Sequence, residues 1–133
     1  MGNGTSIGRV RALGAAGHGT HHWLLQRFTA AGNFLGGVFL IASFLFLPDA
    51  SFATVRDYFA SPVPATILAL FLVSVFWHAR LGLQVLIEDY VHTAGNKFAA
   101  LVLLNIFTFA GAGFGLFAIV RLALATTSPG GAA

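Results

Sequence analysis

Three long stretches without Asp, Glu, Lys or Arg, residues 28–47, 61–77 and 98–120, limit what this chain can become. A helix crossing the hydrocarbon layer of a bilayer, roughly 30 Å thick, needs about 20 predominantly apolar residues. The apolar sequence suffices for three such crossings. Composition agrees, since 57% of the 133 residues are hydrophobic and 8% are charged, against roughly 25% charged in soluble domains. The expectation is an all-α integral membrane protein, a single domain over residues 1–133, with three transmembrane helices over about residues 28–47, 63–88 and 98–122. No soluble catalytic domain fits in what remains.

The chain has no cysteine, which excludes disulfides, Cys-ligated zinc, iron–sulfur ligation and thiolate catalysis within it. Any electron carrier bound here takes other ligands. The net charge of +3 arises from seven basic and four acidic residues. These are too few and too scattered for a nucleic-acid surface, so no nucleic-acid partner is expected. The basic residues bear on topology instead. Arg9, Arg11 and Arg27 lie in a leading segment without acids, whereas the first connection sets Arg56 against Asp49 and Asp57. Excess Lys and Arg favours the cytoplasmic side, which places the N-terminus and the turn at Asp89–Lys97 in the cytoplasm. No apolar core precedes Trp23, so no cleavable signal peptide is expected.

Small residues from Met1 to Gly19 oppose a stable helix and predict a flexible tail outside the bilayer; the closing TTSPGGAA is disordered in composition. The first span begins near Trp23 or Phe28, with Trp23 at the interface, and Pro48 with Asp49 ends it. A short polar connection follows, containing Asp49, Ser51, Arg56, Asp57 and Tyr58. Ser61, Pro62 and Pro64 then open the second span. Asp89 to Lys97, with His92, Gly95 and Asn96, suits a turn between antiparallel helices. In the third span Gly111, Gly113 and Gly115 either permit close helix contact or are the ordinary glycines of membrane helices.

The second span ends in HARLGLQVLIEDYVH, His78 to His92, where ionisable groups enter an otherwise apolar chain. Such groups are expensive in the membrane and mark candidate functional positions. At about 100° per residue, His78, Gly82, Val85 and Asp89 share one helix face, and Asp89 lies roughly 16 Å along the axis from His78. His78 then sits near the midplane, and Asp89 with Tyr90 at the cytoplasmic interface. A midplane histidine with a glycine one turn later can present its imidazole to a flat macrocycle, as a haem ligand does; a histidine hydrogen-bonded to a neighbouring helix has the same spacing. The spacing leaves both open. Asp89 and Tyr90 can meet a polar head group or pass protons, or simply form a solvated helix end. Arg80 lies roughly 160° around the helix from His78 and is expected to pair with an anion such as a haem propionate, a lipid phosphate or a partner carboxylate. Gln84 and Glu88 form an i, i+4 pair.

The pattern His78-x3-Gly82-x6-Asp89-Tyr90 resembles the signature of the hydrophobic membrane anchor subunits of succinate dehydrogenase, respiratory complex II, the smaller of its two anchors. A second segment, Gly19-Thr20-His21-His22-Trp23-Leu24-Leu25-Gln26-Arg27-Phe28-Thr29-Ala30, resembles the family's stretch before the first span. The resemblance implies a subunit of a heteromeric helix bundle in the bacterial inner membrane. It would hold a flavoprotein subunit and an iron–sulfur subunit on the cytoplasmic face, and share one haem b with a larger cytochrome b anchor. It further implies His78 as an axial ligand of the haem iron, with Gly82 beside it, and Arg27 and His21 near the haem propionates. Asp89 and Tyr90 match positions near the ubiquinone site, Tyr90 as hydrogen-bond donor to a quinone carbonyl. No role follows for His18, His22 or His92.

On this reading the chain does no succinate chemistry itself and is non-catalytic alone; it anchors its partners among membrane lipid and contributes to the site where ubiquinone is reduced. A structural or assembly membrane subunit without a redox cofactor is the alternative from a different class. A small transporter with a proton relay through Asp89 and Glu88 is a third, weakened by the presence of only one acid-bearing end.

Overall fold

The computed structural model describes residues 19–125, all in helices or short connections. The expected tails at Met1–Gly19 and Thr126–Ala133, with Arg9, Arg11 and His18, lie outside the described residues except for Gly19 itself. In chain order the helices are α1 (Gly19–Phe46), α2 (Phe52–Ala60), α3 (Pro62–Tyr90) and α4 (Ala94–Ala125). Among them α1, α3 and α4 are long and apolar enough to cross a membrane.

Local chemistry explains the boundaries. Pro62 starts α3 directly after Ser61, at a position where the missing N–H costs nothing. The helix continues to Tyr90, so Asp89 is helical and the connection expected over Asp89–Lys97 shrinks to residues 91–93. Lys97 Nζ donates to the Glu88 carbonyl at 2.8 Å. It thereby satisfies one of the orphan acceptors at the end of α3 and places a cation at the negative end of its dipole. Upstream, α1 begins at Gly19, which makes the segment carrying His21, His22 and Arg27 helical.

The first connection contains a helix that composition did not announce. Ser51 caps α2 by accepting the Thr54 N–H at 3.3 Å, and the Asp49 carboxylate accepts the Ser51 N–H at 2.8 Å. Hydrogen bonds from Ser51, its side chain first and then its backbone, hold the Asp49 carboxyl below its ordinary pKa. One side of α2 turns inward with Phe59 and Ala60 buried, while Arg56 and Asp57 pair at 2.7 Å on the exposed side. The Tyr58 hydroxyl and Ser43 Oγ lie 3.1 Å apart, tying α2 to the end of α1.

α3 is the middle helix. It packs against α1 on one side and α4 on the other, and among the described residues no Cα of α1 comes within 8 Å of one in α4. In lipid the hydrophobic effect offers little to bring two helices together, so close approach over small residues and interhelical hydrogen bonds carry the association. Both neighbours present a Gly-x3-Gly ridge to α3. On α1 a methyl group at Gly36 would overlap the Phe71 ring, and one at Gly32 would meet Ser74 Oγ at 2.9 Å. On α4 a methyl group at Gly111 would come to 2.5 Å from Phe76, and one at Gly115 to 2.7 Å from Leu72. Gly111 and Gly115 therefore act as contact glycines, whereas Gly37 and Gly113 face open space.

These contacts set a test. Gly36→Ala drives a methyl into the Phe71 ring and should destabilise the protein by about 1–3 kcal/mol, as overpacking does. Gly37→Ala should stay within about 0.5 kcal/mol of the parent. Denaturant unfolding of the detergent-purified proteins compares them, and a Gly36→Ala variant as stable as the parent contradicts the packing described.

Candidate functional site

The half-buried His78 imidazole projects from α3 toward α1, where its Nδ1 lies 3.0 Å from Thr29 Oγ1. One turn earlier on α3, Ser74 Oγ donates to the Thr29 carbonyl at 3.0 Å. Two side chains of α3 thus grip one residue of α1, and Gly32 lets the backbones come close enough for both bonds. Thr29 Oγ1 also lies 2.9 Å from the Leu25 carbonyl and 3.1 Å from that of Gln26, in the back-bonded position usual for a helical threonine. No hydrogen bond to His78 Nε2 forms among the described residues.

Of the two sequence readings of His78, the hydrogen bond to a neighbouring helix is the one observed, and it is compatible with the other. A metal-ligating histidine commonly ties up its other ring nitrogen in this way. One turn on, a methyl group at Gly82 would find no atom within 4 Å, so the space beside the imidazole is open. An imidazole with one nitrogen held, the other unengaged and a bare glycine below it fits an axial ligand against a flat macrocycle. His78 stands singly in this respect: among the described residues no three His, Asp or Glu side chains gather into a metal cage.

The other site residues lie apart. Arg27 is exposed and stacks on Trp23, its guanidinium carbon 5.3 Å from the ring centroid. It sits roughly 160° around α1 from Thr29. His21 is exposed as well, whereas its neighbour His22 is half-buried with its Nε2 enclosed and unpartnered. Asp89 and Tyr90 are exposed at the end of α3, Tyr90 by 76%. Close by, Gln84 Nε2 donates to Glu88 at 2.8 Å, the i, i+4 pair expected from spacing. His92 is exposed in the connection to α4.

Arg80 has a partner within the chain that the spacing did not name: its Nε donates to the neutral amide Asn105 Oδ1 on α4 at 2.7 Å. Its guanidinium also lies 5.3 Å from the Trp77 ring centroid, and Trp77 in turn packs edge-on against Phe109 of α4. Asn105 is oriented by donating to the Leu101 carbonyl at 2.7 Å. A buried cation can be tolerated beside an amide dipole and an aromatic face because both offer negative potential without burying a second ion. His78 and Arg80 accordingly serve opposite neighbours. Thr29, Ser74 and Asn105 had no assigned role in the sequence; the signal for Asn105 was its standing as the one amide in the uncharged stretch 98–120.

Residues 1–112 match the model of a family described as the succinate dehydrogenase/fumarate reductase transmembrane subunit. Among similar proteins, the succinate dehydrogenase hydrophobic membrane anchor subunit of Paracoccus denitrificans is 32% identical over 116 residues, covering 86% of this chain and 88% of its own. The protein of the same description in Rickettsia bellii is 33% identical over 85 residues, 64% of this chain and 68% of its own. The succinate dehydrogenase membrane anchor subunit of Reclinomonas americana is 31% identical over 93 residues, 66% and 76% of the two chains. No solved structure matches significantly.

The Arg80–Asn105 contact makes a measurable claim. Arg80→Leu and Asn105→Leu should each destabilise, and the double variant should lose less than the two losses added together. The coupling that such cycles give for a hydrogen bond between membrane helices is about 0.6 kcal/mol, reaching about 1.7. A double-mutant cycle on unfolding free energy reads it, and strict additivity rules the contact out.

Proposed function

We propose a function from one premise: the chain belongs to the succinate dehydrogenase/fumarate reductase transmembrane subunit family. Its role is that of a membrane anchor subunit of succinate dehydrogenase, integral to the bacterial inner membrane, with the N-terminal end of α1 and the α3–α4 turn on the cytoplasmic side. There it holds the flavoprotein and iron–sulfur subunits and pairs with a larger cytochrome b anchor. Succinate is oxidised in the flavoprotein, and electrons carried through iron–sulfur clusters reduce ubiquinone with uptake of two protons. This chain contributes residues to the quinone pocket and to the haem b shared with the larger anchor.

The observation that carries the reading is the state of His78, with Nδ1 bonded to Thr29 and Nε2 unengaged beside the open surface of Gly82. His78 would hold the iron together with a residue of the larger anchor, and Gly82 would leave room for the macrocycle. When bound, the haem supplies a reversible one-electron centre. Arg27 and His21, near the start of α1, would provide hydrogen-bond donors for its propionates. At the far end of α3 the Tyr90 hydroxyl would donate to a quinone carbonyl, which orients the ring and favours negative charge on that oxygen. Asp89, exposed beside it, would exchange protons with water at the boundary where the quinol acquires them. The exposure of both residues in this chain supports an edge that partner subunits complete.

Two substitutions in the assembled complex test the reading. Tyr90→Phe should lower ubiquinone reduction roughly tenfold, the value of one hydrogen bond of about 1.4 kcal/mol, while succinate oxidation by an artificial acceptor is retained. Equal loss of both activities counts against the quinone assignment. In a reduced-minus-oxidised optical spectrum, the b-type haem band should vanish in His78→Ala. Its absence from the parent complex would favour an anchor without a redox cofactor.

A further inference from the structure

We propose that Thr29 is a positioning residue that fixes His78 in the Nδ1–H tautomer, so that the Nε2 lone pair is the one offered on the open side of α3. The inference deepens the assignment of His78 as an axial ligand and rests on it.

A threonine hydroxyl has one proton and can accept on its lone pairs. Thr29 Oγ1 has three neighbours: the carbonyls of Leu25 at 2.9 Å and Gln26 at 3.1 Å, and His78 Nδ1 at 3.0 Å. A carbonyl can only accept, so the hydroxyl proton is directed into α1 and shared between the two. Toward His78 the oxygen is then an acceptor, and Nδ1 must carry the proton. In a neutral imidazole that leaves Nε2 bare. The reverse arrangement would require the hydroxyl proton to leave both carbonyls of α1 for Nδ1.

The fold holds this arrangement in place. Ser74 Oγ bonds the carbonyl of the same threonine at 3.0 Å, and Gly32 admits α3 at close range. Thr29 therefore cannot drift from His78 without breaking a second interhelical bond. A hydroxyl acceptor also differs from a carboxylate in kind: it orients the ring without drawing the Nδ1 proton away, so His78 stays a neutral ligand.

The experiment uses the complete complex with its partner subunits. Haem transfer to excess apomyoglobin should be about 10–100-fold faster in Thr29→Val, the range typical when the outer partner of a metal ligand is removed. Thr29→Ser, which keeps the hydroxyl, should remain close to the parent, and so should Ser74→Ala, which removes only the backbone bond. The haem midpoint potential should rise in Thr29→Val alone, because the ring loses its acceptor and donates less to ferric iron. Parental behaviour of Thr29→Val, or equal effects of Thr29→Val and Ser74→Ala, would overturn the proposal. Nitrogen-15 NMR of the unsubstituted complex, histidine-labelled and reduced, reads the tautomer without relying on any variant. A protonated Nδ1 is expected, and a bare one refutes the inference. Loss of the larger reading is seen separately, as a parent complex lacking haem or a His78→Ala complex retaining it; the tautomer is read in either case.

Discussion

No polar group within the hydrocarbon layer can rely on water for its hydrogen bonds, and in this chain that obligation falls chiefly on α3. His78 and Arg80 are two residues apart and point to opposite sides. Thr29 of α1 answers the first, at 3.0 Å, and Asn105 of α4 the second, at 2.7 Å. Each polar contact is accompanied on its side by a pair of contact glycines, Gly32 and Gly36 on α1 and Gly111 and Gly115 on α4. The glycines allow the approach, and the hydrogen bonds favour one register within it. Because the backbones of α1 and α4 approach α3 and not each other, the arrangement of the three spans depends chiefly on what α3 demands of each neighbour.

Much of this was legible in the sequence, and the limits of legibility have physical causes. Uncharged runs of sufficient length report a span directly, because the cost of charge in lipid leaves few alternatives. Ser61 and Pro62 marked the start of α3 because both act locally. Helical periodicity also set His78 and Arg80 on opposite faces. Periodicity is a property of one helix, however, and cannot say which neighbour lies on a given face or at what height. The pairing of His78 with Thr29 spans 49 positions and that of Arg80 with Asn105 spans 25; both depend on how the antiparallel helices slide against each other. Asn105 was not foreseen as a partner of Arg80 for this reason, since the amide lies on another helix. The short helix α2 was hidden differently: its mixed composition resembles a loop, and it is specified by the Ser51 cap and by Phe59 and Ala60, which find cover only in the folded chain.

The surface between α1 and α3 is also unfinished in a way that lipid cannot complete. Exposed phenylalanines such as Phe34, Phe107 and Phe114 can be satisfied by acyl chains. Polar atoms cannot. Besides His78 Nε2, the enclosed His22 Nε2 and Asn33 Oδ1 have no partner among the described residues. On α1, His22, Thr29 and Asn33 fall within roughly 60° of one another, a single stripe. Of the three atoms without a partner, His78 Nε2 is the one that the chain does not enclose, and so the one that an incoming partner or cofactor reaches without moving a side chain.

The two sides of α3 differ in electrostatics as well as in partners. On the α1 side every group that meets His78 is neutral, and Thr29 acts without introducing an anion. On the α4 side Arg80 meets a neutral amide and an aromatic face, and no acid among the described residues pairs with it. A carboxylate in place of Asn105 would have cancelled much of the arginine's charge within the membrane. An uncancelled cation in a medium of low dielectric constant acts over a longer range than one in water. Under the proposed function, it favours added electron density at the neighbouring His78 position. Under that function the arginine that bonds α4 to α3 would also bear on the site at His78, and its neutral partner leaves it free to do both.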